Sequence, residues 1–447
     1  MRIHKTRLLA VASVAAVTTL SLAGPAAAGD GDRYRGGDDR SHSRDDDHDR
    51  DDHDWDDDRD EHGDRDGDEI EVRPGESIQE AVDAAEPGDT VVLHPGEYQQ
   101  NVTITTDHLS LVGHDAVLLP AGAGQTECDT LGEGEAEEGG TGGEGTGGEG
   151  TGGEGTGGEG TGGEGTGGEE PAPPAEEPRM SGICILGDVV LPPPPTNPEE
   201  PPGEIEVRDA VTGVSIRGIT VKGASGDGLI AVGTENLKVR DSRFADNGGY
   251  GAASFVGTGT TFRDDEATGN AEAGFYVGDS PDSQADVRDN HAVGNELGFF
   301  FRSASNGKAR DNVAEHNCLG MLVLADAPGP AAGWDLRDNR VKENNAECQG
   351  PEPGTTISGA GIVMFGATEF RVRDNKVTGH VSQSPETTVA AGGIVVLSGF
   401  GGTAPSGEVE DNKAKGNEPA DIVWDETGEV EFDDNRCEES IPDGLCD

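Results

Sequence analysis

After residue 28 the chain has no apolar run approaching the length of a membrane span, so nothing in the mature sequence calls for insertion into a bilayer. There is no pair of close-spaced Cys/His motifs, which sets zinc aside as the use of its six cysteines. No basic stripe runs along the sequence, and Lys plus Arg number 32 against 89 Asp plus Glu, so nucleic acid is not an expected partner. Two stretches almost lack apolar residues. From Asp30 to Glu69 there are 20 acids and 7 arginines (−13), and from Glu127 to Glu177 there are 15 acids and no Lys or Arg (−15). Together they carry 28 of the 57 net negative charges, and neither buries enough surface to offset the entropy of ordering.

Arg2, Lys5 and Arg7 precede an apolar run from Leu8 to about Ala23, and Ala26-Ala27-Ala28 follows as a small-residue cleavage site. These are the three parts of a secretory signal, and the expectation is a secreted, extracellular protein. The expected divisions are a signal peptide at 1–28, an acidic Asp/Arg/His arm at 29–68, a cap with the first coils at 69–127, an insertion at 128–184 and repeats at 185–447. In the arm, carboxylates with His42, His48, His53 and His62 would suit weak metal capture, but the arm is read as a solvated, disordered spacer. The insertion repeats Thr-Gly-Gly-Glu every five residues from Thr141 to Thr166 and reads as a flexible loop.

What the chain does have is a degenerate repeat. Asp-Asn or a close variant recurs at Asp241, Asp264, Asp289, Asp311, Asp338, Asp374, Asp411 and Asp434, with spacings of 23, 25, 22, 27, 36, 37 and 23. A second position follows five residues after each pair, at Asn247, Asn270, Asn295, Asn317, Asn344, His380, Asn417 and Ser440. A period near 22 that tolerates insertions marks a solenoid. Three short strands per coil are expected, as in Gly274–Val277, Ala285–Arg288 and His291–Val293, giving three parallel sheets around an apolar interior. In this register the expected disulfides are Cys128 with Cys184, Cys318 with Cys348 and Cys437 with Cys446.

Ordered structure is expected from Glu69, with a capping box at Ser77-Ile78-Gln79-Glu80 opening a short helix. The run Ile78–Ala85, then Pro87-Gly88-Asp89-Thr90-Val91-Val92, then Pro95-Gly96-Glu97-Tyr98, resembles the opening of right-handed parallel β-helix proteins of the pectate-lyase-like superfamily. The resemblance implies an all-β right-handed parallel β-helix with an N-terminal capping helix. It also implies a stacked ladder at Asn290, Asn312, Asn339, Asn375, Asn412 and Asn435, in which Asn tolerates left-handed backbone at the corners. Those residues are read as structural. The family includes lyases, hydrolases, epimerases and proteins without activity, so the motif does not select a chemistry.

Loop insertions at 326–333, 347–359, 382–392 and 399–407 flank the first sheet and would wall a groove along it. Both alternation phases of its strands are apolar, so no pair of carboxylates faces a glycosidic bond there. The epimerase Asp-Pro-His-Asp and polygalacturonase Gly-His-Gly signatures are absent. Tyr276, Phe300 and Phe365 are expected as an aromatic binding patch for polysaccharide, with Phe299 and Phe301 in the core. Asp279 and Arg302 are expected as a surface ion pair of little consequence. The sharper alternative makes Arg302 a base, with Asp279 and Asp326 holding calcium. The favoured function is therefore a non-catalytic polysaccharide binder or surface scaffold without cofactor or metal; the alternative is a polysaccharide lyase or glycoside hydrolase. Oligomeric state is left open by the sequence.

Overall fold

A computed structural model describes residues 67–120, 123–131, 178–192, 203, 205–326 and 329–447. The expected signal sequence, nearly all of the arm and the Thr-Gly-Gly-Glu repeats lie outside the described residues. Both ends of the insertion are better placed than expected. A short helix spans Glu127–Thr130. Asp129 accepts from Ser181 Oγ at 2.6 Å and from Ser181 N at 3.0 Å.

The chain winds into coils with three faces. The first face is an 11-stranded, wholly parallel sheet running from Val102–Ile104 and Ile183–Leu186 to Ile422–Trp424 and Ser440–Ile441. The other two faces belong to one 20-stranded sheet, because Ser110–Leu118 and Ser215–Lys222 each run unbroken around the corner between them. His114-Asp115 is thus a kink within one strand, where Asp115 takes φ 52°. Further along, two residues at each corner separate the faces, as between Asp286–Arg288 and His291–Val293.

Inward residues alternate with outward ones, as the two-residue period of a strand requires. Large side chains from the first face meet small ones from the third. Phe275, Phe299 and Phe301 enter the same core as Ala267, Ala292 and Ala314. Phe275 and Phe299 stack on consecutive coils at 5.3 Å, and Phe301 lies 3.9 Å from the Trp334 ring. The helix Ile78–Ala84 covers the open end, burying Ile78, Ala81 and Val82. Ser77 Oγ caps it, accepting from Glu80 N at 3.1 Å. Gln79 meanwhile exchanges bonds with Thr103, donating to its carbonyl at 3.0 Å and accepting from its N–H at 2.8 Å. One amide side chain so satisfies the free edge of the first strand of that sheet.

The six corner asparagines form one column. The first five Nδ2 groups each donate to the next Oδ1, as Asn290 does to Asn312 at 3.1 Å, Asn339 to Asn375 at 2.9 Å and Asn412 to Asn435 at 3.0 Å. Each also donates to a carbonyl of the coil before, as Asn290 does to Phe262 at 2.9 Å. Asp265 occupies the same column, its N–H donating to Asn290 Oδ1 at 3.0 Å, so the Asp264-Asp265 pair is structural. One detail differs from expectation. The left-handed residue is the preceding aspartate, with φ of 59° at Asp289, 56° at Asp338 and 54° at Asp411. The bend is taken one residue early, which frees the asparagine to turn inward. A second column runs through Asn247, Asn270, Asn295, Asn317 and Asn344 to His380 and Asn417. It ends on Asp421, which accepts from Asn417 Nδ2 at 2.8 Å, rather than on Ser440.

Disulfides join Cys128 to Cys184, Cys318 to Cys348 and Cys437 to Cys446, with Cα separations of 5.8, 5.9 and 5.3 Å. The first closes the base of the insertion, the second ties down the loop after Asn344, and the third secures the last coil.

Candidate functional site: the outer side of the first face

Outward positions on the first face carry Cys184, Ile230, Val232, Ala253, Phe255, Tyr276, Phe300, Leu322, Val363, Phe365, Val395, Leu397 and Val423. A second apolar layer therefore lies outside the core. Its N-terminal part is covered. Tyr250 stacks on Tyr276 at 4.7 Å, Phe255 lies 4.6 Å from Tyr276, and Cys128 packs over Ile230. Tyr276 is completely buried, so it is corrected here from an exposed binding ring to a packing residue. The residue that covers it lies 26 positions earlier, in the turn before another strand. Phe300 meets the Tyr276 edge at 5.3 Å and stays half-buried. Phe365 is also half-buried and packs at 5.0 Å against Phe400, contributed by the 399–407 loop. Phe400 escaped the sequence reading, although its place in a wall-forming insertion marked it. Phe299 and Phe301 lie in the core.

Asp279, Arg302 and Asp326 come together where three neighbouring coils leave this face. Arg302 Nη1 lies 3.6 Å from Asp279 Oδ1, and Nη2 lies 3.0 Å from Asp326 Oδ2, with Nε at 3.3 Å from the same oxygen. The Asp279, Arg302 and Asp326 side chains are 3%, 12% and 18% exposed, so the expected surface pair is a buried ion triplet. The discount that applies to exposed pairs does not hold for it. Neither Asp279 oxygen accepts a hydrogen bond. Burial pushes the Asp279 carboxyl up to about 6, Arg302 draws it back, and Asp326 adds to the rise. Burial on its own would lower the Arg302 guanidinium, but Tyr276, Asp279 and Asp326 hold it above its ordinary range. Burial and the Asp279 charge push the Tyr276 hydroxyl upward. Gly278 leaves the space this hydroxyl fills, since a Cβ there would lie 2.0 Å from it.

The guanidinium thus stands between the two carboxylates proposed as calcium ligands. Among the described residues, three carboxylates gather closely only at Asp433, Asp434 and Asp447, all exposed at the last coil.

A second buried charge group closes the opposite edge of the face and was not expected. Asp227 accepts from Tyr250 N at 2.7 Å, and Arg179 Nη2 lies 3.2 Å from Glu272 Oε1. Burial pushes Asp227 up to about 7, opposed by Arg179 and reinforced by Glu272. Arg179 lies in the returning end of the insertion, so this group and Asp129–Ser181 anchor that end. The only sequence signal was an acid between glycines just before a strand, Gly226-Asp227-Gly228. A cleft of about 360 Å³ lined by Asp107, Glu127, Asp188 and Asp209 lies by the first coils.

A family model described as a right handed beta helix region matches residues 200–292 and 227–407. No curated protein matches. Solved structures with a similar trace include the A-module of the mannuronan C-5 epimerase AlgE4 of Azotobacter vinelandii, at 17% identity over 83% of this chain and 84% of that one, TM-score 0.44. The periplasmic alginate epimerase AlgG is 12% identical over 82% of each chain, TM-score 0.45. Pectate lyase Pel9A is 13% identical over 83% of this chain and 79% of that one, TM-score 0.40. With parallel three-faced coils, a capping helix, aligned corner amides and the match to a right handed beta helix region, the chain folds as a right-handed parallel β-helix.

Proposed function

We propose that the protein binds extracellular or cell-wall polysaccharide without turning it over, using the outer side of the first face. The observation that carries this reading is the half-buried aromatic and aliphatic strip of Phe300, Leu322, Phe365 and Leu397, with Phe400 beside it. Apolar ring faces suit the C–H faces of sugars, and such strips mark interfaces on soluble proteins. Three disulfides and the absence of free cysteine among the described residues support an exported protein in an oxidising compartment.

The ion triplet argues against the lyase alternative. A general base works best with its pKa near the operating pH, and Arg302 is moved the other way by its neighbours. Calcium at Asp279 and Asp326 would have to displace the guanidinium between them.

A glycan array with the mature protein tests the reading. Binding is expected to fall in the double variant Phe300→Ala/Phe365→Ala. Unchanged binding would remove the first face from the account. Incubation with polygalacturonate and alginate, with and without calcium, is expected to give neither new ultraviolet absorbance nor new reducing ends. Turnover lost on Arg302→Ala would establish the enzyme instead.

A further inference from the structure

The two ends of the solenoid are finished differently. At the N-terminal end the helix Ile78–Ala84 closes the core, and the edge strand Glu69–Val72 ends in a buried Val72. Among the described residues no helix closes the other end, where the strand Glu429–Asp433 has a neighbour on one side only, Ser406–Glu410. Its inward residues Val430 and Phe432 stay half-buried, as does Trp424, whose ring lies 5.4 Å from that of Phe432. In a parallel ladder alternate residues turn their backbone groups to opposite neighbours. Glu429 donates its N–H back to Pro405 O at 3.0 Å, and Asp433 O accepts from Asp411 N at 3.2 Å. Val430 and Phe432, one residue out of phase, therefore aim their N–H and C=O groups at the open side.

The outward charges of this strand break a pattern. On the second face one outward column runs Asp286, Lys308, Asp335, Arg371, Glu408 over five consecutive coils, so that neighbours are opposite in sign. Arg371 and Glu408 meet at 3.3 Å. The alternation fails at the last strand, where Glu431 stands opposite Glu408 and Asp433 opposite Glu410. Like charges directly opposite on neighbouring strands destabilise a sheet. Among the described residues neither Glu431 nor Asp433 has a cation within ion-pair distance. From Asp425 to Asp447 there are ten acids and one arginine, so no local cation makes up the difference. The next place in the column, on the open side, is one that a cation fits.

We infer that Glu429–Asp433 is a docking edge for an extended segment of another protein in which Lys or Arg alternates with apolar residues, added as one more strand. Its apolar side chains rest on Val430, Phe432 and Trp424 and continue the core, its cations stand over Glu431 and Asp433, and its backbone engages the free N–H and C=O groups. A second copy of this chain does not suit the edge. Its own open edges on this face are Glu69–Val72 and Glu429–Asp433, and either would set acid against acid, which is how exposed edges are kept from pairing with one another. The acidic arm, with 20 acids against 7 arginines, is excluded on the same ground. The net charge of −57 draws a basic segment in and repels an acidic one. This edge is independent of the aromatic strip on the first face.

The test is calorimetric binding of full-length mature protein to the heptapeptide Lys-Val-Lys-Val-Lys-Val-Lys, blocked at both ends, against Lys-Lys-Lys-Lys-Val-Val-Val of the same composition. The alternating peptide is expected to bind at least about tenfold more tightly than the block peptide, and less tightly as salt rises. Glu429→Lys/Glu431→Lys, on exposed positions, should lose at least about tenfold of that affinity. Val430→Pro should lose as much, because it removes an N–H on the open side and no bond of the existing ladder. The fully N-methylated alternating peptide makes the same point without altering the protein, and it should fail to bind. Phe300→Ala/Phe365→Ala should bind the alternating peptide normally, so this edge and the polysaccharide reading fail separately. No binding, equal binding of the two peptides, or retained binding of the N-methylated peptide overturns the proposal. A dimer of the protein alone that Glu429→Lys/Glu431→Lys disperses would give the edge to a second copy and overturn it equally.

Discussion

The two halves of the third face are built from the same strands and the same corner, yet treat charge in opposite ways. Toward the N-terminus the outward column mixes signs, with Arg243 paired to Glu266 at 3.3 Å and His291 to Glu315 at 3.2 Å. Toward the C-terminus it is a run of cations, Arg340, Lys376, Lys413 and Arg436, without such partners among the described residues. Beneath both halves the corner amide column continues, its bonds between 2.9 and 3.1 Å. The interior is therefore a repeated solution to one constraint, while the surface varies coil by coil. Regular stacking turns amides into mutual donors and acceptors, and it also forces identical charges into contact.

The largest expected effect lies in what the halves share. Asn290→Ala in the front half and Asn375→Ala in the back half should each cost about 3 kcal/mol, because each leaves buried backbone groups without partners. Calorimetric melts of both variants check this; a loss confined to one half would show that the column does not bear on both alike. A smaller effect contrasts a buried charge with the exposed row. The folded value of Asp279, about 6, lies above its ordinary 3.8. The folded state therefore holds an extra proton between roughly pH 4 and 6, and stability falls as pH rises through that window, by about 2 kcal/mol. Asp279→Asn lacks that slope, so its melting temperature should gain on the wild type from pH 4 to 6 and hold the gain above. Parallel curves would place Asp279 in water.

The smallest effect sharpens the surface comparison directly. Lys376→Gln/Lys413→Gln should raise stability by a few tenths of a kcal/mol at low salt, and the gain should vanish in concentrated salt. Glu266→Gln in the front half should change stability slightly in the opposite direction, since it breaks a pair. Equal signs for the two variants would mean that the column's charges do not sense one another.

Much of the fold was legible because its signal is local. Asp-Asn pairs and three-residue alternation recur within each coil, and first-face strands such as Leu229–Val232 and Ala252–Phe255 follow from them to the residue. The cysteine pairs followed from the same register. What escaped depends on contacts between distant coils. Tyr276 looks like an outward ring until Tyr250 and Phe255 close over it. Arg302 looks like a surface arginine until Asp279 and Asp326, 23 residues before it and 24 after, converge on it. The cationic row was hidden more thoroughly, since insertions space its members 36, 37 and 23 residues apart. A reading that finds no basic stripe along the chain is right about the sequence and wrong about the surface. The left-handed corner was misplaced by one residue because Asp and Asn both tolerate it, and only the inward pull of the ladder decides between them.

The corner amides have a direction: from Asn290 to Asn412 each Nδ2 donates to the next coil's Oδ1, and each Oδ1 accepts from the coil before. Any joint in the column is therefore interchangeable with any other. Excising one full turn between two asparagines would reconnect a donor to an equivalent acceptor, whereas excising half a turn would leave both stranded. The length of this protein is accordingly a quantity that can change by whole units while its cross-section stays fixed, and the reach of any row along its flank changes with it.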